Sequence, residues 1–474
     1  EAEDALPAIN FIPCVHFVKR GVACENPAKV QLSPEELTRI VGEARENLNA
    51  DDDDDDEMEA TEDDENHDED ADVDRMIESN NRDGDEFRFG NYEREDGEPV
   101  IKMSDVAIAD PNQEIVDDED SEAEDDIIKP TDNLILVGHV ENDSATVEVF
   151  IYNEDENSLY VHHDFLLPSP PLCIEWLSYD PGSDDKTGNL CAIGSMESII
   201  TIWDLDIQDS LEPTFKLGSK GNRKRNKPRV GHKDAVLDLS WNKHLPHILA
   251  SGSVDQTIIL WDLDEGTPHT VIKDFEEKVQ TISFHPRDSQ YLLAGSCDGT
   301  VKVFDCRATD NSQSSCKSWT LGGEVERICW DHFNKNKFVA STNDGKIHYV
   351  DVRKDQPLWS KEAHDKEVTG LMLSSKVKGM LTTASADGML KVWDISKTDA
   401  KLSYFKNMKI GLIQCMDECP ENPFVVACGG DLNQKNFQIL DLLQNDIVSN
   451  IFKNRLVENT LAGNIEELNI QEDE

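Results

Sequence analysis

An all-β, seven-bladed β-propeller is the fold that this chain predicts, and three observations predict it. First, an apolar or aromatic residue followed by an acid closes a hydrophobic strand six times: Ile202-Trp203-Asp204, Leu260-Trp261-Asp262, Val303-Phe304-Asp305, Tyr349-Val350-Asp351, Val392-Trp393-Asp394 and Ile439-Leu440-Asp441. Second, those acids step by 58, 43, 46, 43 and 47 residues, and about 40–45 residues make one four-stranded blade. Third, a small-residue strand and a tight turn precede the acid-ending strand, as in Leu249-Ala250-Ser251-Gly252-Ser253-Val254-Asp255, Ala294–Gly299 and Thr383–Gly388. Small residues let inner strands crowd a central channel, and Asp-Gly supplies the positive φ of the turn. A ring of blades is a binding platform without chemistry of its own, so the functional question becomes one of partners.

The elements follow in order. Residues 1–32 contribute an N-terminal strand: Phe11–Phe17 has the pattern of Leu172–Trp176, the first strand of the next blade. Residues 33–48 predict a short helix, with Ser33 as N-cap, Pro34 in the first turn and Glu36 completing a capping box. Leu37, Ile40, Val41, Ala44 and Leu48 form its apolar face. It either packs on the side of the propeller or docks a partner.

Residues 49–130 read as a long acidic disordered insertion. Residues 51–74 hold 17 acids in 24 positions, and residues 117–126 hold eight in ten; such runs bury no core. They are a solubilising spacer or an electrostatic clamp for very basic proteins. Thr61 and Ser121, each three residues before an acid, are candidate phosphosites. Phe87, Phe89 and Tyr92 lie between the tracts, as docking aromatics or as pins back onto the propeller.

Residues 131–455 form the propeller proper. Leu134–Val137 and Val147–Tyr152 are strands of a fainter copy, whose Tyr152 precedes Trp203 by 51 residues. Blade one is therefore predicted to be split: residues 11–19 give its first strand and the acidic segment is inserted before its second. Six further blades follow, and a strand near Ile447–Phe452 is expected to complete blade seven. Residues 456–474 are an acidic tail.

Two copies carry a histidine before the blade, at Gly231-His232 and Ala363-His364. They resemble standard WD40 repeats, which implies a buried hydrogen-bonded relay. Here it would join His232, Ser251 or Ser253, Asp255 and Trp261, and likewise His364, Thr383 or Ser385, Asp387 and Trp393. A hydrolase triad uses the same residue types. The spacing repeats as structure does, and buried polar groups need partners simply to be tolerated.

Charge divides the chain. Its net charge is −53; residues 1–130 hold 44 acidic and 11 basic residues, and the remainder 54 and 34. This repels bare nucleic acid and anionic membrane and favours basic partners or sites held in a larger assembly. The counter-current is Lys216, Lys220, Arg223, Lys224, Arg225, Lys227 and Arg229, seven cations in 14 residues without an acid, inserted between blades two and three. It reads as a nuclear-import or RNA-phosphate element, against an ordinary solvated loop. Eleven scattered cysteines show no CxxC pair and no zinc spacing, so they read as reduced core residues. No signal peptide and no membrane-length apolar run is expected. Neither a Walker loop, a G-x-S-x-G elbow nor HExxH occurs; no enzyme, cofactor, metal or small-molecule substrate is expected.

Flanking motifs are more specific than the repeats. Val18–Ala23, Leu32-Ser33-Pro34-Glu35-Glu36, the acidic stretch, Lys129–Leu134 and Tyr160-Val161-His162-His163-Asp164 occur in this order. Together they resemble the periodic tryptophan protein 1 family of nucleolar WD-repeat proteins, over nearly the whole chain. Phe304, Val350 and Leu440 depart from the usual Trp, so those blades are expected to pack less regularly. The resemblance implies a nucleolar scaffold for early large-subunit (60S) ribosomal precursors, with pre-60S assembly factors, ribosomal proteins and pre-rRNA as partners. It also implies links to histones and ribosomal-DNA chromatin. A reading from a different class is a substrate receptor for a cullin-type ubiquitin ligase, docking through the paired Asp-x-Arg ends at Arg307 and Arg353.

Overall fold

The computed structural model describes residues 9–30, 39, 127–221, 228–307 and 317–457. The chain divides into two units, residues 1–30 with 120–474, and residues 31–119. The second lies outside the described residues except for Arg39, and with it the expected helix at 33–48, the 51–74 tract, Thr61 and the Phe87–Tyr92 aromatics. The 117–126 run with Ser121, and residues 458–474, also lie outside them.

The first unit is a seven-bladed propeller. Blade one is built from Asn10–Phe17, Asn133–Glu141, Ser144–Asn153 and Ser158–Leu167, in that order from the channel outward. Its innermost strand thus comes from the N-terminus, antiparallel to the second with Val15 opposite Val137 and Phe17 opposite Ile135. The remaining inner strands are Pro171–Tyr179, Val236–Trp241, Val279–Phe284, Val325–Trp330, Gly370–Leu373 and Ile413–Glu418. Blades two to six have four strands each.

Seven buried apolar clusters fill the seven spaces between adjacent blades. The last holds Ile12, Val15 and Phe17 of blade one with Cys415, Val425 and Ala427 of blade seven, which closes the ring. Phe304 and Val350 are buried where other blades carry Trp, and their blades keep all four strands. An apolar side chain of either shape therefore fills this interior position. The Asp-Gly turns have the expected left-handed backbone, with φ +79° at Gly299 and +77° at Gly388. Close approach explains the small residues: a Cβ on Gly194 would lie 2.5 Å from the Cys173 sulfur.

Blade seven corrects one expectation. Among the described residues it has three strands, Ile413–Glu418, Val425–Gly430 and Phe437–Asp441. Ile447–Phe452 is not its fourth strand but part of a helix, α1 (Asp446–Phe452). Asn445 caps α1 by accepting from the Ile447 and Val448 amides, and Asp446 stands in the first turn, favourable to the helix dipole. Val448 and Phe452, one turn apart, bury the same face against Met380, Phe424 and Leu442, while Ile447 stays exposed. A burial period of four instead of two marks a helix.

Candidate binding surfaces and the central channel

The seven inner strands enclose a channel of about 590 Å³, lined by residues from every blade. In six of them the register slips by one residue near the channel entrance, before Cys14, Cys173, Asp238, Thr281, Arg327 and Cys415. A bulge re-aims the side chain that follows it, and all six line the channel. From there several of them fasten one blade to the next. Asp238 accepts from the Ile282 amide at 2.7 Å, the Arg327 Nε donates to the Thr369 carbonyl at 3.0 Å, and the Cys415 thiol reaches the Ile12 carbonyl at 3.4 Å.

Two residues deeper, the same device recurs. Glu175 accepts from the Trp241 amide at 3.1 Å, Ser240 from the Phe284 amide at 3.0 Å, and Asp417 from the Phe17 amide at 2.8 Å. Burial pushes the Glu175, Asp238 and Asp417 carboxyls up, opposed by His16 at Glu175 and Asp417 and by Arg327 at Asp238. The channel is thus lined by polar groups already engaged with the neighbouring blade. The sequence reading missed this ring. Its only trace is a polar residue at an alternate position of an otherwise apolar strand, and the partner amide lies over 40 residues away in sequence for most of these bonds.

The relay residues come together in both WD copies. His232 Nε2 lies 2.7 Å from the Ser251 hydroxyl, which accepts from Trp261 Nε1 at 2.8 Å, and His232 Nδ1 lies 3.1 Å from Asp255. In blade six His364 bridges Thr383 at 2.8 Å and Asp387 at 2.9 Å, and Trp393 donates to Thr383 at 2.9 Å. Ser251 and Thr383 fill the hydroxyl position. Ser253 and Ser385 instead donate to the Ala235 and Lys366 carbonyls. Burial raises the Asp387 carboxyl, but hydrogen bonds from His364 and from the Met389 and Asp365 amides, with the charge of His364, together outweigh it and leave the group below the usual range; burial lowers the imidazole itself. Ser251 and Thr383 are wholly buried, so no substrate reaches them and the arrangement serves packing.

Arg307 and Arg353 each fold back on the acid two residues before, Asp305 and Asp351. The Arg353 pair holds the Asp351 carboxyl at about 2. Both guanidinium groups remain mostly exposed.

The basic segment is partly described. Lys216 lies on the outer strand Phe215–Leu217 of blade two, and Ser219 bridges Val230 to close the base of the excursion. Lys220 lies 3.8 Å from Glu197, and Arg229 donates to the Lys233 carbonyl. Arg223, Lys224, Arg225 and Lys227 fall outside the described residues. The ten cysteines among the described residues are free thiols. No described helix is long and apolar enough to cross a membrane.

Comparison with known proteins places this geometry. The WD domain, G-beta repeat family matches residues 225–262, 266–305 and 355–394. A Drosophila melanogaster protein named periodic tryptophan protein 1 homolog is 51% identical over 90% of this chain and 93% of its own. Periodic tryptophan protein 1 of Saccharomyces cerevisiae is 28% identical over 82% of this chain and 80% of its own. Among solved structures, the WD40 β-propeller domain of Doa1 superposes with a TM-score of 0.50 at 18% identity, covering 64% of this chain and 88% of that one. The split first blade, the WD relays and the near full-length similarity together make this chain a member of the periodic tryptophan protein 1 family of WD40-repeat proteins.

Proposed function

We propose that this chain is a non-catalytic scaffold in ribosome biogenesis, assembling early large-subunit precursors and supporting pre-rRNA processing in the nucleolus. Family membership along nearly the whole chain carries this reading. The architecture supports it: the ring offers two broad faces, and the hydroxyls of both relays are sealed inside blades. Pre-60S assembly factors and ribosomal proteins are the proposed partners of the faces, and pre-rRNA of the Lys216–Arg229 segment. The test is sedimentation of the tagged protein from nuclear extract with RNA sequencing of each fraction. Co-migration with large-subunit precursor RNA, lost on ribonuclease treatment, supports the scaffold. Migration with nucleosomes, insensitive to ribonuclease, replaces it with histone binding at ribosomal DNA. The ligase-receptor reading has less behind it, because Arg307 and Arg353 already pair within their own blades.

A further inference from the structure

On four blades one set of turns runs against the charge of the whole chain. The first strand of every blade runs in the same sense along the channel, so the turns between first and second strands share one face. On blades three to six those turns carry Lys243, His244, Arg287, Lys335, Lys376 and Lys378. All are exposed except Lys376, which is half-buried. Among the described residues, none of the five lysines and arginines forms an ion pair, although Lys129, Lys186, Lys302, Lys317, Lys346, Lys361 and Arg455 all do. In a chain with 98 acids and 45 Lys and Arg, a run of unneutralised cations is the unexpected arrangement.

The turns are also held together. Asn242 donates to the Ser289 carbonyl at 2.9 Å and His244 Nε2 lies 3.0 Å from the Pro286 carbonyl, joining blades three and four. Arg287 donates to the His332 carbonyl and His285 Nε2 lies 2.8 Å from the Lys335 carbonyl, joining four and five. Lys376 ties blade six to seven through the Glu421 carbonyl at 3.1 Å. Lys243 and His244 stand at the channel mouth. Burial, then the charge of Lys243, lowers His332 to about 4, so this imidazole is neutral and adds no charge. These turns also hold two acids, Asp288, which accepts from the Gln290 amide, and buried Asp331, which accepts from Tyr349 and Asn334, so five permanent cations stand against two carboxylates. At physiological salt charges act over about 8 Å, so a ligand at this arc is met by the charges of the turns themselves.

We infer that this arc, from Lys243 through Arg287 and Lys335 to Lys378, is a binding surface for the phosphate backbone of single-stranded RNA, separate from the Lys216–Arg229 segment. Four of its five permanent cations are lysines, point charges that suit a run of phosphates better than the planar, two-pronged recognition of carboxylates. Exposed His244 and half-buried Phe333 add ring faces on which bases stack. An acidic peptide is the competing occupant. The inference takes from the scaffold reading only the source of the RNA.

The test uses the full chain and a short fluorescein-labelled single-stranded RNA, with affinity read by anisotropy at several salt concentrations. Charge reversal at Lys243→Glu, Arg287→Glu and Lys335→Glu is expected to weaken binding by about tenfold or more and to flatten the salt dependence by roughly 0.7 log units for each phosphate no longer neutralised. Because Arg287 also holds the His332 turn, the pair Lys243→Gln and Lys335→Gln, checked for an unchanged melting temperature, must show the same direction. Neutralising Lys216–Arg229 alone should leave the arc-dependent fraction of binding in place. Unaltered affinity and slope in the arc variants overturn the inference. So does loss of binding to a synthetic peptide of residues 51–74 with RNA binding intact, which would make the arc an acidic-peptide site. Success here with no sedimentation on large-subunit precursors would leave the arc standing and remove the assembly role.

Discussion

Thr383 holds two hydrogen bonds that no other side chain replaces, accepting from Trp393 and meeting His364 Nε2. Thr383→Val keeps the shape and strands both partners in a dry interior. Unsatisfied buried groups cost about 1–3 kcal/mol each, so urea unfolding should show a loss of at least about 2 kcal/mol. Glu418, at the end of the inner strand of blade seven, offers a test by pH. Glu418 is half-buried, but its carboxyl is enclosed, and burial pushes it up to about 8, against a hydrogen bond from Ser374. A carboxyl raised on folding favours the protonated form. Its contribution is therefore complete below the ordinary value of 4.5 and is lost as pH rises toward 8. Glu418→Gln keeps the uncharged shape, so its melting temperature should exceed that of the parent by about 2 °C or more at pH 8 and show no gain at pH values below 4.5. Equal shifts at both pH values would refute the assignment. Residues of the relays were legible because they recur at fixed offsets within one blade. Glu418 was not, because its environment comes from its neighbours in space.

At the scale of the element, α1 shows where pattern reading fails. Ile447–Phe452 is apolar and short, and length and composition alone do not separate such a run from a strand. Asn445 and the four-residue spacing of Val448 and Phe452 were the local evidence for a helix. Asn445→Ala is expected to cost about 1 kcal/mol, and Phe452→Ala about 3–5 kcal/mol, both read by chemical denaturation. If α1 is a peripheral addition, Phe452→Ala will instead be nearly neutral. Phe452 is fully enclosed beside Phe424 and Leu442, which argues for the large value. Arg455, just beyond, forks onto Asp394 of blade six, so this segment braces blade seven against its neighbour.

At the scale of the whole molecule, closure depends on the N-terminus. Removing residues 1–20 deletes the inner strand of blade one, the Phe17–Asp417 and Ile12–Cys415 bonds, and three of the nine buried residues of the cluster that joins blades seven and one. Such a truncation should lose cooperative unfolding and become protease-sensitive throughout the ring, as followed by calorimetry and limited proteolysis. Adding a peptide of residues 9–20 in trans should restore part of the transition if the strand acts only as the closing element.

The sequence by itself determined the blade repeat, the split of blade one and the relay residues. These are local: strand alternation, turn chemistry and polar pairing all lie within one repeat of about 40–45 residues. Only the tertiary structure decided the rest. It brought side chains of one inner strand onto amides of the next blade, turned Ile447–Phe452 into a helix by offering it an apolar surface under blades six and seven, and gathered lysines and an arginine from four separate turns onto one face. The physical reason is the ring itself: it sets distant residues side by side, and neither the summed charge of the turns nor the hydrogen bonds between blades exist until it closes.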